Sequence, residues 1–228
     1  MNRPTRTLFA ALLGGICSMS VATAAHAEGA FAQLYAARPP AGSSFVRLVN
    51  PLAAPLRVKI ADGPTQRLAG DTVASRYAIV KGNAAFTVWL DGKPAGTLRV
   101  APDTYSTLVP RRDGGGAGFA VIDDAGGAQD ALKAELRFYN LAEGCAAGRV
   151  EIAPSGPALF QKVAARASAA RAVNPVSATL AASCGATASA PLTLPAMQPG
   201  DHYSLFLTGT PGRPTLRGQL SETDPYGR

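Results

Sequence analysis

The chain is written in short apolar runs of about five residues, rich in Val, Leu, Phe and Tyr and separated by Gly, Pro, Asn and Asp. A period of two between such turn signals is the pattern of half-buried β-strands in an antiparallel sandwich. It predicts strands at 45–50, 56–61, 66–69, 77–80, 85–90, 95–100, 105–110 and 118–122. Asp91-Gly92 directly follows one of these runs and predicts a hairpin turn. In FTVWL (86–90) the alternation puts Phe86, Val88 and Leu90 on one face and Thr87 and Trp89 on the other.

The pattern is written twice. RVKIA (57–61) returns as RVEIA (149–153), VRLVN (46–50) as LRFYN (136–140), GNAAFTVWL (82–90) as VNPVSATLA (173–181), and PDTYSTLV (102–109) as PGDHYSLFL (199–207). A nearly constant offset the size of an ordinary domain implies a duplicated domain with a core in each copy. The expected architecture is therefore all-β, with two tandem antiparallel β-sandwich domains at 28–125 and 131–228 joined by a hinge at 126–130. One window conflicts with this. ALFQKVAARASAARAV (158–173) is Ala-rich and has fair helix propensity, but its counterpart TQRLAGDTVASRYAIV (65–80) reads as strand, loop, strand. The duplication decides for β, because fold overrides weak local propensity.

Residues 1–27 carry Arg3 and Arg6, then an apolar run broken by Gly14, Gly15, Ser18 and Ser20, then Ala25-His26-Ala27. This is the layout of a secretory signal peptide cleaved after Ala27, with a retained membrane anchor as the alternative. Export leaves Cys145, Cys184 and a single histidine, His202. In an oxidising compartment the two cysteines are expected to pair in a disulfide stapling the second domain; two buried free thiols are the alternative. The 22 basic and 15 acidic residues give a net charge of +7, which favours polyanions or acidic partners. The basic residues are scattered without a polybasic run, which argues against nucleic acid as a partner.

Candidate chemistry is sparse. Any Ser-His-Asp or Cys-His arrangement must use His202, whose neighbour Asp201 points to the opposite face of the strand, so a surface imidazole capping a loop is expected there. No cysteine pair has zinc spacing, no acidic cluster suggests calcium, and Gly114 to Gly116 lack the Lys and Ser/Thr of a phosphate loop. No catalytic residue, metal or cofactor is expected. Binding chemistry is better represented. Trp89, the only tryptophan, shares its face with Thr87 and is suited to stacking on a sugar ring or to a protein interface, unless a loop or the other domain covers it. Arg47 and Arg137 occupy equivalent positions, as do Arg57 and Arg149. They predict an outward row of guanidinium groups that reads carboxylates on a uronic acid polymer or a partner protein, or else a solvated face that discourages edge pairing.

Together with these features, LYAARPPAGSSFVRLVN (34–50), VNPV (173–176), TYSTLV (104–109) and SLFLTG (204–209) make the chain resemble the AlgF-type proteins of alginate O-acetylation systems. The matching residues are Leu34, Tyr35, Pro40, Gly42, Ser43, Ser44, Phe45, Val46, Arg47 and Asn50. The resemblance implies a periplasmic component required for adding O-acetyl groups to an exopolysaccharide. It implies a membrane-bound O-acyltransferase and SGNH-type acetyltransferases as partners, and an adaptor or acetyl-relay role. Because the residues supply no nucleophile with its base, a non-catalytic adaptor is expected, with Trp89, Arg47, Arg137 and Tyr35 as partner or polymer contacts. The alternatives are a carbohydrate-binding protein that presents alginate or cellulose, and an acetyl-relay enzyme acylated at Ser43, Ser44 or His202.

Overall fold

The period-two runs form strands where expected. The computed structural model describes residues 38–111, 118–125, 130, 132–175 and 177–226. Tyr35, the signal segment, Gly114 to Gly116 and hinge residues 126–129 lie outside the described residues. The first half contains β1 (Ser43–Leu48), β2 (Leu56–Ile60), β3 (Gln66–Leu68), β4 (Ala78–Lys81), β5 (Phe86–Leu90), β6 (Lys93–Leu98), β7 (Tyr105–Pro110) and β8 (Phe119–Asp123). Asp91 and Gly92 turn the β5–β6 hairpin with φ of 49° and 80°, the left-handed conformation that such a two-residue turn requires. The second half contains β9 (Ala134–Asn140), β10 (Ala147–Ile152), β11 (Ala158–Ala164), β12 (Ser168–Val173), β13 (Thr179–Cys184), β14 (Thr187–Ala188), β15 (Leu192–Thr193), β16 (His202–Thr210) and β17 (Arg213–Leu220). The Ala-rich window 158–173 is thus strand, turn, strand, as the duplication required.

The sheets repeat in the two halves. In the first, β4-β1-β7-β8 forms one sheet and β3-β2-β5-β6 the other; in the second, β12-β9-β16-β17 matches the former and β11-β10-β13-β14 the latter. Each half includes one parallel pair, β1 with β7 and β9 with β16. The chain reaches these pairs only after crossing to the other sheet and back, the long connection that a parallel pair needs. The register also corrects the alignment of the copies near their ends. Matching the tyrosines of PDTYSTLV and PGDHYSLFL pairs His202 with Thr104, but Arg47 lies opposite Thr107 and Arg137 opposite Ser204, so His202 corresponds to Tyr105.

Each sandwich has its own apolar interior. Val46, Leu48, Val80 and Leu108 of one sheet meet Val58, Ile60, Leu68, Phe86 and Val88 of the other in the first half. In the second, Leu136, Phe138, Leu205 and Leu207 meet Val150, Phe160, Leu180 and Ala182. Cys145 and Cys184 form a disulfide within this second core.

The other faces of β1, β7, β9 and β16 meet each other. Val49, Val109 and Ile122 from the first half pack on Tyr139, Leu141 and Phe206 from the second. Four layers result, with two inner sheets back to back and two outer sheets flanking them. All seven residues of β9 are buried because both of its faces are covered. At the centre of the seam Arg47 is only 1% exposed. Its Nε donates to Thr107 Oγ1 (2.9 Å), Nη1 to Ser221 Oγ (3.0 Å), and Nη2 to Tyr139 Oη (2.6 Å) and Ser204 Oγ (2.8 Å). Thr107 and Tyr139 in turn donate to Asp124, which also accepts from Tyr77 Oη at 2.7 Å. Each bridging hydroxyl thus accepts from the guanidinium and donates to the carboxylate, which polarises the chain cooperatively. The guanidinium carbon also lies 4.5 Å from the centroid of the Tyr77 ring and 5.2 Å from that of Tyr139. Burial would lower the Arg47 pKa, but Tyr139, Tyr77 and Asp124 more than offset it; burial pushes both phenols up, so they remain donors.

The C-terminal segment ties the halves again. Gln219 Oε1 accepts from Val73 N and Ala74 N (3.0 Å each), and its Nε2 donates to Ala74 O (2.8 Å). Further along, Tyr77 N donates to Glu222 O and Asp224 N to Tyr77 O, at 2.8 Å each. Thr223 thereby forms a parallel bridge with Tyr77.

Arg47→Ala is expected to cost about 3–5 kcal/mol, because it strips the counter-charge from a buried network. Arg47→Met combined with Asp124→Asn should cost less than the sum of the two single changes. Urea unfolding of Arg47→Ala, of the two single changes and of the double variant measures both effects. Replacing Cys145 and Cys184 together by Ser is expected to cost about 4 kcal/mol through the chain entropy of the released loop, read as a lower urea midpoint.

Candidate functional site

The outer sheet of the first sandwich presents a mixed basic and aromatic face. Val58 and Ile60 enter the core from β2, so Arg57 and Lys59 face outward; Phe86 and Val88 enter from β5, so Thr87 and Trp89 do the same. Leu68 enters from β3 and leaves Arg67 outside. The register sets Arg67 opposite Arg57 and Lys59 opposite Trp89. Lys59 Nζ lies 5.4 Å from the centroid of the indole, a cation–π contact at a half-buried ring. The register between β5 and β6 shifts at this point, with Val88 opposite Gly96 and Trp89 opposite Pro94, which leaves Ala95 as the extra residue on β6. Asp91 N donates to Arg57 O (2.8 Å) and Arg57 N to Asp91 Oδ1 (3.0 Å), fastening the start of β2 to the neighbouring turn. Arg57, Lys59, Thr65, Trp89 and Asp91 line an open groove of about 440 Å³. Among the described residues none of Arg57, Lys59 and Arg67 is in an ion pair. Such a face suits a ligand with anionic groups and a flat apolar surface.

Arg47 and Arg137 lie elsewhere. Both point away from their own sandwich core, as the alternation required, but that face is the seam and not solvent. Arg47 is the buried centre described above, and Arg137, 7% exposed, donates to Glu135 Oε1 (3.1 Å) and across the seam to Ala125 O (3.3 Å). Of the four arginines expected in an outward row, Arg47 and Arg137 thus form an inter-sandwich clamp, whereas Arg57 and Arg149 are exposed on the outer sheets. A strand shows which face a side chain takes, not what covers that face. The residues the pattern missed are the clamp's partners, Tyr77, Asp124, Tyr139, Ser204 and Ser221. A signal for them does exist. LRFY (136–139) and SLFL (204–207) place apolar or aromatic residues on both faces of a strand, which marks burial on both sides.

His202 lies at the edge of this clamp. Its Nδ1 is 3.7 Å from Glu135 Oε1, the atom that also accepts from Arg137. Asp201 faces away and accepts from Gln198 N. The pairing with Glu135 raises the His202 pKa against the effect of partial burial. Burial pushes the Glu135 carboxyl up, but His202 and Arg137 together bring it below its ordinary value. Of the hydroxyls considered for acylation, Ser44 is buried and donates to Ala101 O at 2.6 Å.

Comparison with known proteins adds family evidence. The family model described as "Alginate O-acetyl transferase AlgF" matches residues 16–204. "Alginate biosynthesis protein AlgF" of Pseudomonas putida KT2440 is 28% identical over 212 residues, covering 90% of this chain and 92% of that protein. Among solved structures, the maltoheptaose complex of CBMbc (family CBM26) from Eubacterium rectale Amy13K matches at 10% identity and a TM-score of 0.29, over 81% of this chain and 98% of the other.

The His202–Glu135 pair generates a pH prediction. A raised histidine contributes stability below its ordinary pKa and loses it as pH rises through the raised value. A lowered carboxyl contributes above its ordinary pKa and loses it as pH falls through the lowered value. The pair therefore contributes most between the ordinary values of 4.5 and 6.5. In NMR titration the His202 ring resonance, assigned by its absence from His202→Gln, is expected to titrate at lower pH in Glu135→Gln than in the native protein.

Proposed function

The chain belongs to the AlgF family, and from that premise we propose that it is a non-catalytic periplasmic adaptor of alginate O-acetylation. In this reading it holds a membrane-bound O-acyltransferase and an SGNH-type acetyltransferase close together. The observation that carries the reading is the clamp at Arg47, which joins two sandwiches through buried groups from both and leaves the two outer sheets facing away from each other. A body with two distinct faces at fixed separation raises the effective concentration of one partner near the other without a tight interface to either. The chemistry around the clamp supports the same reading, since Ser204 and Ser221 face a guanidinium where an acyl-accepting serine would need a base. The disulfide suits an oxidising compartment outside the cytoplasm.

Affinity capture of the full-length protein, co-expressed with the acetylation proteins, is expected to retain both the O-acyltransferase and the SGNH-type enzyme. Retention of neither sinks the adaptor reading. Intact-mass analysis of the protein after exposure to an acetyl donor is expected to show no added acetyl group. A stoichiometric acetyl adduct would replace the adaptor with an acetyl relay.

A further inference from the structure

The duplicated fold supplies its own control for the basic aromatic face. RVKIA and RVEIA differ at one position, where Lys59 in the first copy becomes Glu151 in the second. In the second sandwich Arg149 stands where Arg57 does and pairs with Glu151 at 2.7 Å. Across from Glu151 on β13 lies Ala181, where the first copy places Trp89 across from Lys59. The same outer face, on the same topology, therefore pairs the arginine of β10 with an acid and sets no aromatic opposite that acid in one copy. In the other, among the described residues, it carries three cations that make no ion pair around an indole, with the Asp91 carboxylate as the one acidic group lining the groove.

A solvated face needs none of this. Like charges directly opposite on paired strands are destabilising, as Arg57 and Arg67 are here, and an anion between them reverses the sign. A large aromatic left half-exposed in a groove retains apolar surface that a flat ring can cover. Among anions, an inorganic ion uses the charges and leaves the indole idle, whereas a sugar ring bearing a carboxylate uses both.

We propose that this face binds a polyuronate chain directly. The indole of Trp89 stacks on the C–H face of one uronate ring. Arg57 and Arg67, on strands about 4.8 Å apart, hold carboxylates of the polymer in bidentate pairs. Lys59 sits over the indole and neutralises the charge of the stacked residue. The inference deepens the adaptor reading by naming the class of polymer the protein touches, and rests on it for the choice of alginate, but binding itself requires no partner protein.

The test titrates the purified full-length protein with deacetylated alginate oligosaccharide, following Trp89 fluorescence and heat. Parallel arms use a neutral glucan of equal length and poly-glutamate. Saturable binding to the uronate is expected, weakening with salt, with none to the glucan. Trp89→Ala is expected to weaken it by about tenfold or more. Lys59→Glu, which copies the residue the fold already accepts at Glu151, is expected to weaken it as strongly while leaving the urea midpoint near that of the native protein. Absence of saturable binding overturns the proposal, as does equal binding by Lys59→Glu. Poly-glutamate binding as tight as the oligosaccharide also overturns it, and assigns the face to an acidic protein. Failed capture of the acetylation partners with intact oligosaccharide binding would sink the adaptor alone, and the converse result would sink only this proposal.

Discussion

A guanidinium taken out of water is tolerated only where fixed partners replace its hydration, and Arg47 finds those partners in both sandwiches. Thr107 comes from its own half, Tyr139, Ser204 and Ser221 from the other. Two of the hydroxyls pass the interaction on to Asp124, so the charge pair is spread through the seam and does not meet at one contact. Separating the sandwiches would leave a cation and a carboxylate without their network and would bare Phe206, Tyr139 and Val49 as well. Docking is therefore part of folding, and the outer sheets hold their separation because the inner ones cannot part cheaply.

The layered arrangement divides the chain into positions with different freedoms. In β9 and most of β16 every side chain lies against something, and both copies retain an arginine at the same seam register, Arg47 and Arg137. Their surroundings have nonetheless diverged. Arg47 reaches across to hydroxyls and aromatic rings, whereas Arg137 takes Glu135 beside it and a carbonyl at the end of β8. On the outer sheets the divergence is one of character. One copy sets Trp89 opposite Lys59, and the other pairs Arg149 with Glu151 at the equivalent place, with hardly any change to the strands that carry them.

The strand pattern made most of this architecture legible. Turn residues and period-two alternation located the first-half strands to within about two residues, and the duplication carried the reading through the Ala-rich window at 158–173 where propensity pointed to helix. The pairing of Cys145 with Cys184 matches the expectation drawn from a sequence that reads as exported. The outward position of Trp89 followed from alternation alone. What alternation could not supply was the identity of the layer beyond a face. Arg47 reads as a surface residue because its neighbours Val46 and Leu48 point inward, yet its burial comes from residues 92 to 174 positions away. Only the two-faced apolar character of LRFY and SLFL recorded that second contact. The one-residue shift that equates His202 with Tyr105 was hidden by the unequal lengths of the repeated segments.

The distance along the chain between the network's members has a consequence of its own. Arg47 is synthesised early, and Ser221, which satisfies one of its nitrogens, is 174 residues downstream. Before the second half docks, water serves the guanidinium, and the fixed acceptors Tyr139, Ser204 and Ser221 take its place only when the seam closes. Thr223 and Asp224 add a clasp across the same seam. A product lacking residues 219–224 loses the Gln219 contacts to Val73 and Ala74, the Ser221 acceptor of Arg47 and the Thr223 bridge together, so the two halves are held by the remaining seam alone.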